Sequence, residues 1–298
     1  MLNGIIIINK PKDYTSHDVV ARVKKILNEK VGHTGTLDPN ATGVLPLLIG
    51  QGTKLSAYLI NHDKEYVVTM KLGQKTDTAD IEGSIIEEKE VKKELITEEN
   101  VKKILDSFVG KQKQVPPIYS AIKLNGKKLY EYARENKQVE LKPRQIEIYS
   151  IKLIKIDILN KQIDFKVSCS KGTYIRSLCE DIAEKLQTVA FMKDLQRTKV
   201  GEFKIEDSIT LEELEKFHNS AEFMNEHFIS IEKFFENKEK NDIYLSEEKI
   251  EKFLNGVKIT YELKDGMYRI YSKDKAFIGI GLVKNNSLKR QIVVENKC

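Results

Sequence analysis

Apolar residues along the chain fall into two periods. Gly4-Ile-Ile-Ile-Ile8 is a continuous run stopped by Asn9-Lys10-Pro11, which predicts a buried strand. Val19, Val20, Val23, Ile26 and Leu27 recur at helical spacing behind Thr15-Ser16-His17-Asp18, whose hydroxyls and early acid predict a helix start. Residues 44–49 and 66–72 read as strands. Thr97-Glu-Glu-Asn opens a helix carrying Val101, Ile104, Leu105 and Phe108, closed by Gly110. Pro116-Pro117 and Asn125-Gly126 mark turns. Residues 146–158 and 163–170 predict a strand pair around Asn160, followed by a helix over 175–186. Two or three short acidic helices are expected in 205–254. From Val257 onward β-rich pieces alternate with turns at Lys264-Asp265-Gly266 and Asn285-Asn286. There is no internal repeat and no regular βαβ rhythm, so the expected class is α+β with a small β-rich C-terminal module.

Composition narrows the picture. The chain has 298 residues, 40% hydrophobic and 32% charged. At this length about three quarters of the unfolded surface can be buried without a disulfide or metal staple. The aliphatic run near the start is far too short to span a bilayer, and no signal peptide is expected. Cys169, Cys179 and Cys298 form no Cys-x-x-Cys, so no structural zinc is expected and the chain reads as a reduced, cytoplasmic protein. The net charge of +5 names no partner. Its distribution says more: residues 110–150 carry nine basic and four acidic side chains, whereas 205–254 carry six and fourteen. An acidic block thus separates basic regions, which suggests a module boundary and a polyanionic partner.

The candidate chemistry lies in Gly32-His-Thr-Gly-Thr-Leu-Asp-Pro-Asn-Ala-Thr-Gly43. This glycine-rich loop is no phosphate loop, because G-x-x-x-x-G-K-[ST] is missing. It presents one carboxylate, Asp38, and Pro39 forces that residue toward an extended backbone. Gly35 and Gly43 allow sharp turns and close approach. Such an aspartate can be a nucleophile, a base or a metal ligand, but Leu37 and Asn40 supply no further ligands. On the loop alone, an Asx turn closed by Asp38 is the simpler reading.

The loop closely resembles the catalytic segment of the bacterial tRNA pseudouridine synthase B family. Five other segments resemble that family in order: Asn9-Lys-Pro11 with Thr15-Ser16; Asp63-Lys-Glu-Tyr66 with Leu72-Gly73, Thr76-Asp-Thr-Ala-Asp80 and Gly83; Pro116-Pro-Ile-Tyr-Ser-Ala-Ile-Lys123 with Tyr130-Glu-Tyr-Ala-Arg134; Cys169-Ser-Lys-Gly-Thr-Tyr-Ile-Arg176; and Leu195-Gln-Arg-Thr198 with Val200-Gly201 and Phe203. The match runs over about residues 4–204, and the last 50 or so loosely resemble the PUA RNA-binding module.

The resemblance implies a pseudouridine-synthase core, with a long mixed or antiparallel sheet flanked by helices. A catalytic domain is expected over 1–240, with a tRNA-gripping insertion at about 110–140, and a PUA-like module over 241–298. The implied reaction isomerises the T-loop uridine of tRNA without cofactor or metal. By resemblance Asp38 is the nucleophile, toward sugar or base, and Arg176 pairs with it. Tyr66 stacks on the uracil and is the candidate acceptor of the C5 proton. His33 fills the space left by the flipped base. Tyr174 and Leu195 line the pocket, and Asp80 hydrogen-bonds within it. Lys10, Lys123, Lys127, Lys128 and Arg134 are candidate phosphate contacts. A monomer without an obligate protein partner is expected. Three positions depart from the family: Glu65 puts an acid beside Tyr66, Gln196 stands where a second arginine is common, and Phe191 where a histidine is frequent. All three bear on affinity before chemistry. A binding module without turnover would use the same basic surface but would not require Asp38.

Overall fold

The four isoleucines of the first strand set the layering. Ile5 and Ile7 face one side, with Val44, Leu48, Leu55, Phe234 and Phe235. Ile6 and Ile8 face the other, with Val19, Val23, Leu211 and Leu214. All four are buried, each contributing about 1.5–3 kcal/mol by transfer from water. A strand covered on both faces reads as an uninterrupted apolar run, which is why Gly4–Lys10 is legible in the sequence. The helix Ser16–Leu27 starts in a capping box: the Thr15 hydroxyl accepts from the Asp18 amide, and the Asp18 carboxylate accepts from the Thr15 amide.

The computed structural model describes residues 2–60, 62–120, 122–135, 137, 139–236 and 241–294. Their largest sheet runs in the order Phe228–Ser230, Gly4–Lys10, Thr42–Ile49, Ala190–Val200, Lys64–Leu72, Gln162–Cys169, Arg144–Asp157 and Gly110–Gln114. Val31–His33 pairs with Thr42–Ile49, and Phe203–Lys204 with Ala190–Val200. Pairings within it are antiparallel except one: Ala190–Val200 meets Thr42–Ile49 in parallel, through Gln196 opposite Thr42 and Arg197 opposite Gly43. That short seam joins the sheet's two halves, and each half has its own core.

A second sheet follows the order Asp242–Leu245, Gly266–Ser272, Phe277–Lys284, Ser287–Val293 and Ile259–Thr260. Asn285 and Asn286 both adopt positive φ, +51° and +56°, as a two-residue hairpin turn requires. Ile280 and Ile292 of this sheet reach the core around Ile5 and Ile7. The architecture is therefore α+β: a large mixed sheet with helices, and a small C-terminal β module.

Several expectations need correction. The acidic segment holds four α-helices among the described residues, Leu211–Phe217, Ala221–His227, Ile231–Glu236 and Glu247–Leu254, and a 3-10 turn at Ile205–Asp207, not two or three helices. The glycine-rich loop is not irregular throughout: Gly32 and His33 continue from Val31 as a short strand, Val31–His33. Cys169 and Cys179 are buried thiols, and Cys298 lies outside the described residues. Among the described residues no helix is long and apolar enough to cross a membrane, and no cluster of His, Cys, Asp or Glu could hold a metal.

Candidate active site

Asp38 sits at the seam, in the loop that leads into Thr42–Ile49. The loop is held at nearly every residue around it. Ser16 Oγ accepts from the Leu37 amide at 3.0 Å. The Pro39 carbonyl accepts from the Asp13 amide at 3.0 Å and from Lys10 Nζ at 2.9 Å. Asn40 Nδ2 donates to the Lys193 carbonyl at 3.3 Å. The Asp38 backbone carbonyl accepts from the Ala41 amide. Its side chain does not close an Asx turn; it turns to Arg176. The guanidinium grips it with both forks, Nε to Oδ2 at 3.1 Å and Nη2 to Oδ1 at 3.3 Å. Such bidentate geometry fixes orientation as well as charge.

Arg176 lies in the first turn of Ile175–Lys185 and is buried. It also reaches Asp80 Oδ2 at 3.6 Å and donates to the carbonyls of Thr78 at 3.3 Å and Tyr119 at 2.9 Å. One cation thus bridges two carboxylates. Asp80 is buried in turn, its Oδ1 accepting from Thr78 Oγ1 at 2.6 Å and the Glu82 amide at 3.1 Å. Burial pushes the Asp38 carboxyl above its ordinary value, Arg176 pulls it down, and Asp80 pushes it further up. The carboxyl is packed deeply although 34% of its side chain is open, toward a small cavity.

That cavity has about 110 Å³ of open volume. Thr36, Leu37, Asp38, Tyr66, Thr173, Tyr174, Ile175, Arg176, Met192 and Leu195 line it. Asp38, Tyr66, Arg176, Tyr174 and Leu195, five residues singled out in the sequence, therefore meet on one pocket. A larger cleft beside Gly73 and Lys161 shows no such convergence of predicted site residues. Gln114 fixes Tyr174 on both sides, accepting from its amide at 2.8 Å and donating to its carbonyl at 3.0 Å.

Tyr66 stands directly opposite Arg197 across the pairing of Lys64–Leu72 with Ala190–Val200. Burial pushes its hydroxyl up to about 12, against the pull of Arg197, its hydrogen-bonding partner. The ring is therefore neutral at pH 7. His33 lies near the loop's start, edge-on to His17 at 5.4 Å between ring centres. Burial, His17 and Arg197 hold its imidazole below the ordinary range, so it too is neutral.

Lys10 departs from its expected role at the phosphate surface. It is fully buried, and its ammonium donates to the carbonyls of Pro11, Tyr14 and Pro39. All three donors are used inside the protein, so Lys10 braces the Asp38 loop instead of meeting a phosphate. Lys123 is exposed. Lys127 pairs with Glu135 and lies over Tyr132, while Lys128 donates to Tyr130 Oη at 3.2 Å. The Arg134 side chain lies outside the described residues. Glu65 beside Tyr66 is neutralised by Lys166 at 2.8 Å and accepts from Thr198 Oγ1 at 2.8 Å. Arg197 enters the sequence reading only as part of a motif, yet it is buried against Tyr66 and the Asp38 loop. Its neighbours Lys193, Asp194 and Lys199 are charged as well, so no local sequence signal sets Arg197 apart.

Residues 24–175 match the TruB family pseudouridylate synthase N-terminal domain. Residues 176–240 match the tRNA pseudouridylate synthase B C-terminal domain, and 242–294 the C-terminal region of pseudouridine synthase II TruB. The tRNA pseudouridine synthase B of Clostridium kluyveri is 43% identical over 298 residues, covering 97% of this chain and 98% of its own. That of Clostridium novyi is 45% identical over 295 residues, with the same coverage. Among solved structures, a Cbf5-Nop10-Gar1 complex is similar with a TM-score of 0.66 at 27% identity, over 98% of this chain and 84% of that one. An H/ACA RNP bound to a substrate RNA containing 2′-deoxyuridine shares the fold, with a TM-score of 0.67 at 24% identity over 99% and 86%. Sequence, fold and relatives agree: this chain belongs to the TruB family of pseudouridylate synthases.

Proposed function

We propose that the chain is a tRNA pseudouridine synthase that isomerises the T-loop uridine at position 55. The observation that carries this reading is the Asp38–Arg176 pair at the mouth of a pocket that Tyr66 faces, in a chain of this family. The target base is stacked inside the tRNA elbow, so it must be flipped out before it meets Asp38. His33, neutral and beside the entry to the loop, takes the vacated space. Tyr66 stacks on the uracil, while Tyr174 and Leu195 close the walls against water.

Asp38 acts as the nucleophile. Arg176 keeps it ionised and stabilises charge as it shifts, in a site where water is scarce. The N1–C1′ bond breaks, the uracil turns, and C5 bonds to C1′. C5 then loses its proton, with Tyr66 as acceptor, and N1 gains one. Nothing is oxidised and no water is consumed, so the reaction requires no cofactor. Asp80 holds Arg176 from behind. The catalytic domain comprises residues 1–240 and the PUA-like module 241–298. The insertion at about 110–140 grips tRNA, with Lys123, Lys127, Lys128 and Arg134 toward its phosphates. The enzyme acts as a cytoplasmic monomer without an obligate protein partner.

The test is a tRNA transcript carrying tritium at uridine C5. Release of tritium to solvent reports isomerisation. Release that persists when the T-loop uridine is replaced by cytidine refutes the assigned site, and no release from tightly bound transcript refutes the activity.

A further inference from the structure

The buried guanidinium of Arg197 is a charged group beside the pocket to which the proposed reaction assigns no task. The side chain is 1% exposed. Nε donates to the Val44 carbonyl at 2.8 Å and Nη2 to the Gly35 carbonyl at 3.2 Å. These carbonyls lie on either side of Asp38, one before the loop's turn and one at the start of the strand. The strand register sets Arg197 directly across from Tyr66, where cross-strand side chains lie about 4.5–5.5 Å apart at Cβ. Its remaining polar contact is the Tyr66 hydroxyl. Among the described residues no carboxylate forms an ion pair with it; Asp38 attracts it only at longer range. A buried cation without a carboxylate partner is costly, and three oxygen acceptors offset that cost only in part.

The backbone is shaped around this residue. Gly43 has φ +105°, and a Cβ there would lie 2.2 Å from the Arg197 carbonyl oxygen. Gly35 has φ +100° and passes beside the Arg197 guanidinium. The close approach at Gly43 is to the Arg197 backbone, whereas Gly35 runs beside the guanidinium at ordinary contact distance.

We propose that Arg197 is a positioning residue that acts through Tyr66: it orients the Tyr66 hydroxyl over the pocket and carries the counter-charge when that oxygen accepts the C5 proton. This rests on the reading of Tyr66 as the proton acceptor. In the step, Tyr66, neutral at rest, first gives its hydroxyl proton to water, and the resulting phenolate then takes the proton from C5. The C5–H electron pair becomes the C5=C6 bond, the C6=N1 pair moves to N1, and N1 takes a proton from water. A neutral phenol cannot accept that proton, so a cation beside the oxygen has a defined task. Of the groups near Tyr66, the Asp38 carboxylate disfavours the phenolate, and Cys169 on the neighbouring strand is a buried, neutral thiol that supplies no positive charge. Arg176 lines the same cavity but is engaged by Asp38 and Asp80.

Two substrates separate proton removal from everything before it. Tritium release from C5 requires the acceptor. A 5-fluorouridine transcript has no C5 proton, so its cleavage, turning and rejoining proceed without one. In single-turnover reactions, Arg197→Gln should slow tritium release by about 100-fold or more, the range of general-base catalysis, while processing of the fluorinated transcript stays within about threefold. Arg197→Lys keeps the charge and should recover release to within about tenfold of wild type. Equal loss on both substrates would reduce Arg197 to a scaffold and overturn the proposal, as would unchanged release. If the glutamine variant does not fold, the lysine variant decides alone: release within about tenfold of wild type, with processing of the fluorinated transcript unchanged, supports the proposal, and a larger loss or an equal loss on both substrates refutes it. Tyr66→Phe separates the two readings. Its retention of tritium release refutes the acceptor reading itself. Its loss of release, beside an unaffected Arg197→Gln, refutes only the role of Arg197.

Discussion

Replacing Arg176 by methionine removes the only guanidinium in contact with Asp38 among the described residues and leaves two carboxyl groups beside one pocket. The size of the effect follows from the geometry. The Nε–Oδ2 contact is 3.1 Å, and Arg176 is buried. With charge centres about 4 Å apart and an effective dielectric near 20, such a pair is worth about 4 kcal/mol. The open third of Asp38 screens part of this, and the carboxyl rises further above its ordinary value when the guanidinium is removed. Burial already holds the carboxyl above its ordinary value. Its ionised form, which the reaction needs, is lost as pH falls through that raised value. In Arg176→Met the acid limb of activity therefore moves upward in pH, and the loss at pH 6 exceeds the loss at pH 8. Single-turnover tritium release between pH 5 and 9 reads this directly, with circular dichroism as the check on folding. An acid limb at the wild-type position would refute the role of Arg176 in keeping Asp38 ionised.

Three other outcomes are expected. Asp80→Asn removes the neighbouring charge that raises Asp38, so the acid limb moves to lower pH while the rate falls as Arg176 loses its support; a limb that moves upward contradicts this. Gly43→Ala forces a side chain into φ +105° against the Arg197 carbonyl, costing at least about 2 kcal/mol and lowering the melting temperature by about 4–8 °C. Alanine at Lys123, Lys127 or Lys128 should weaken tRNA binding and reduce the slope of log affinity against log salt by about one for each phosphate no longer neutralised, as a salt titration measures.

Legibility in the sequence follows what each residue must satisfy. The strand Gly4–Lys10 and the helix Ser16–Leu27 are legible because their apolar patterns match their own periods. The central strand Ala190–Val200 is not. It carries Lys193, Asp194, Arg197 and Lys199, and bulges after Met192 and Arg197 break its alternation. The hairpin Gln74–Thr76 with Ile85–Glu88 also escapes the pattern, since its second strand is exposed along its length and shows no core-facing side. Asp38, Tyr66, Arg176, Tyr174 and Leu195 stand out through family motifs and converge on one cavity. Lys10 and Arg197 show the limit. A charged residue is read as exposed by default, because burying an ion is costly. Only the folded backbone reveals the carbonyls that receive them: Pro11, Tyr14 and Pro39 for Lys10, Gly35 and Val44 for Arg197. Those acceptors are set by strand register and loop path, which no local pattern encodes.

Everything proposed for the site depends on the Asp38 carboxylate performing the chemistry without being required for holding tRNA. The most direct measurement compares wild type with Asp38→Asn on one C5-tritiated transcript, following solvent tritium and filter binding together. Binding within about threefold of wild type is expected, with no tritium above background at long times and enzyme in excess. Product formed by purified Asp38→Asn at a measurable rate would contradict the assignment of Asp38 as nucleophile.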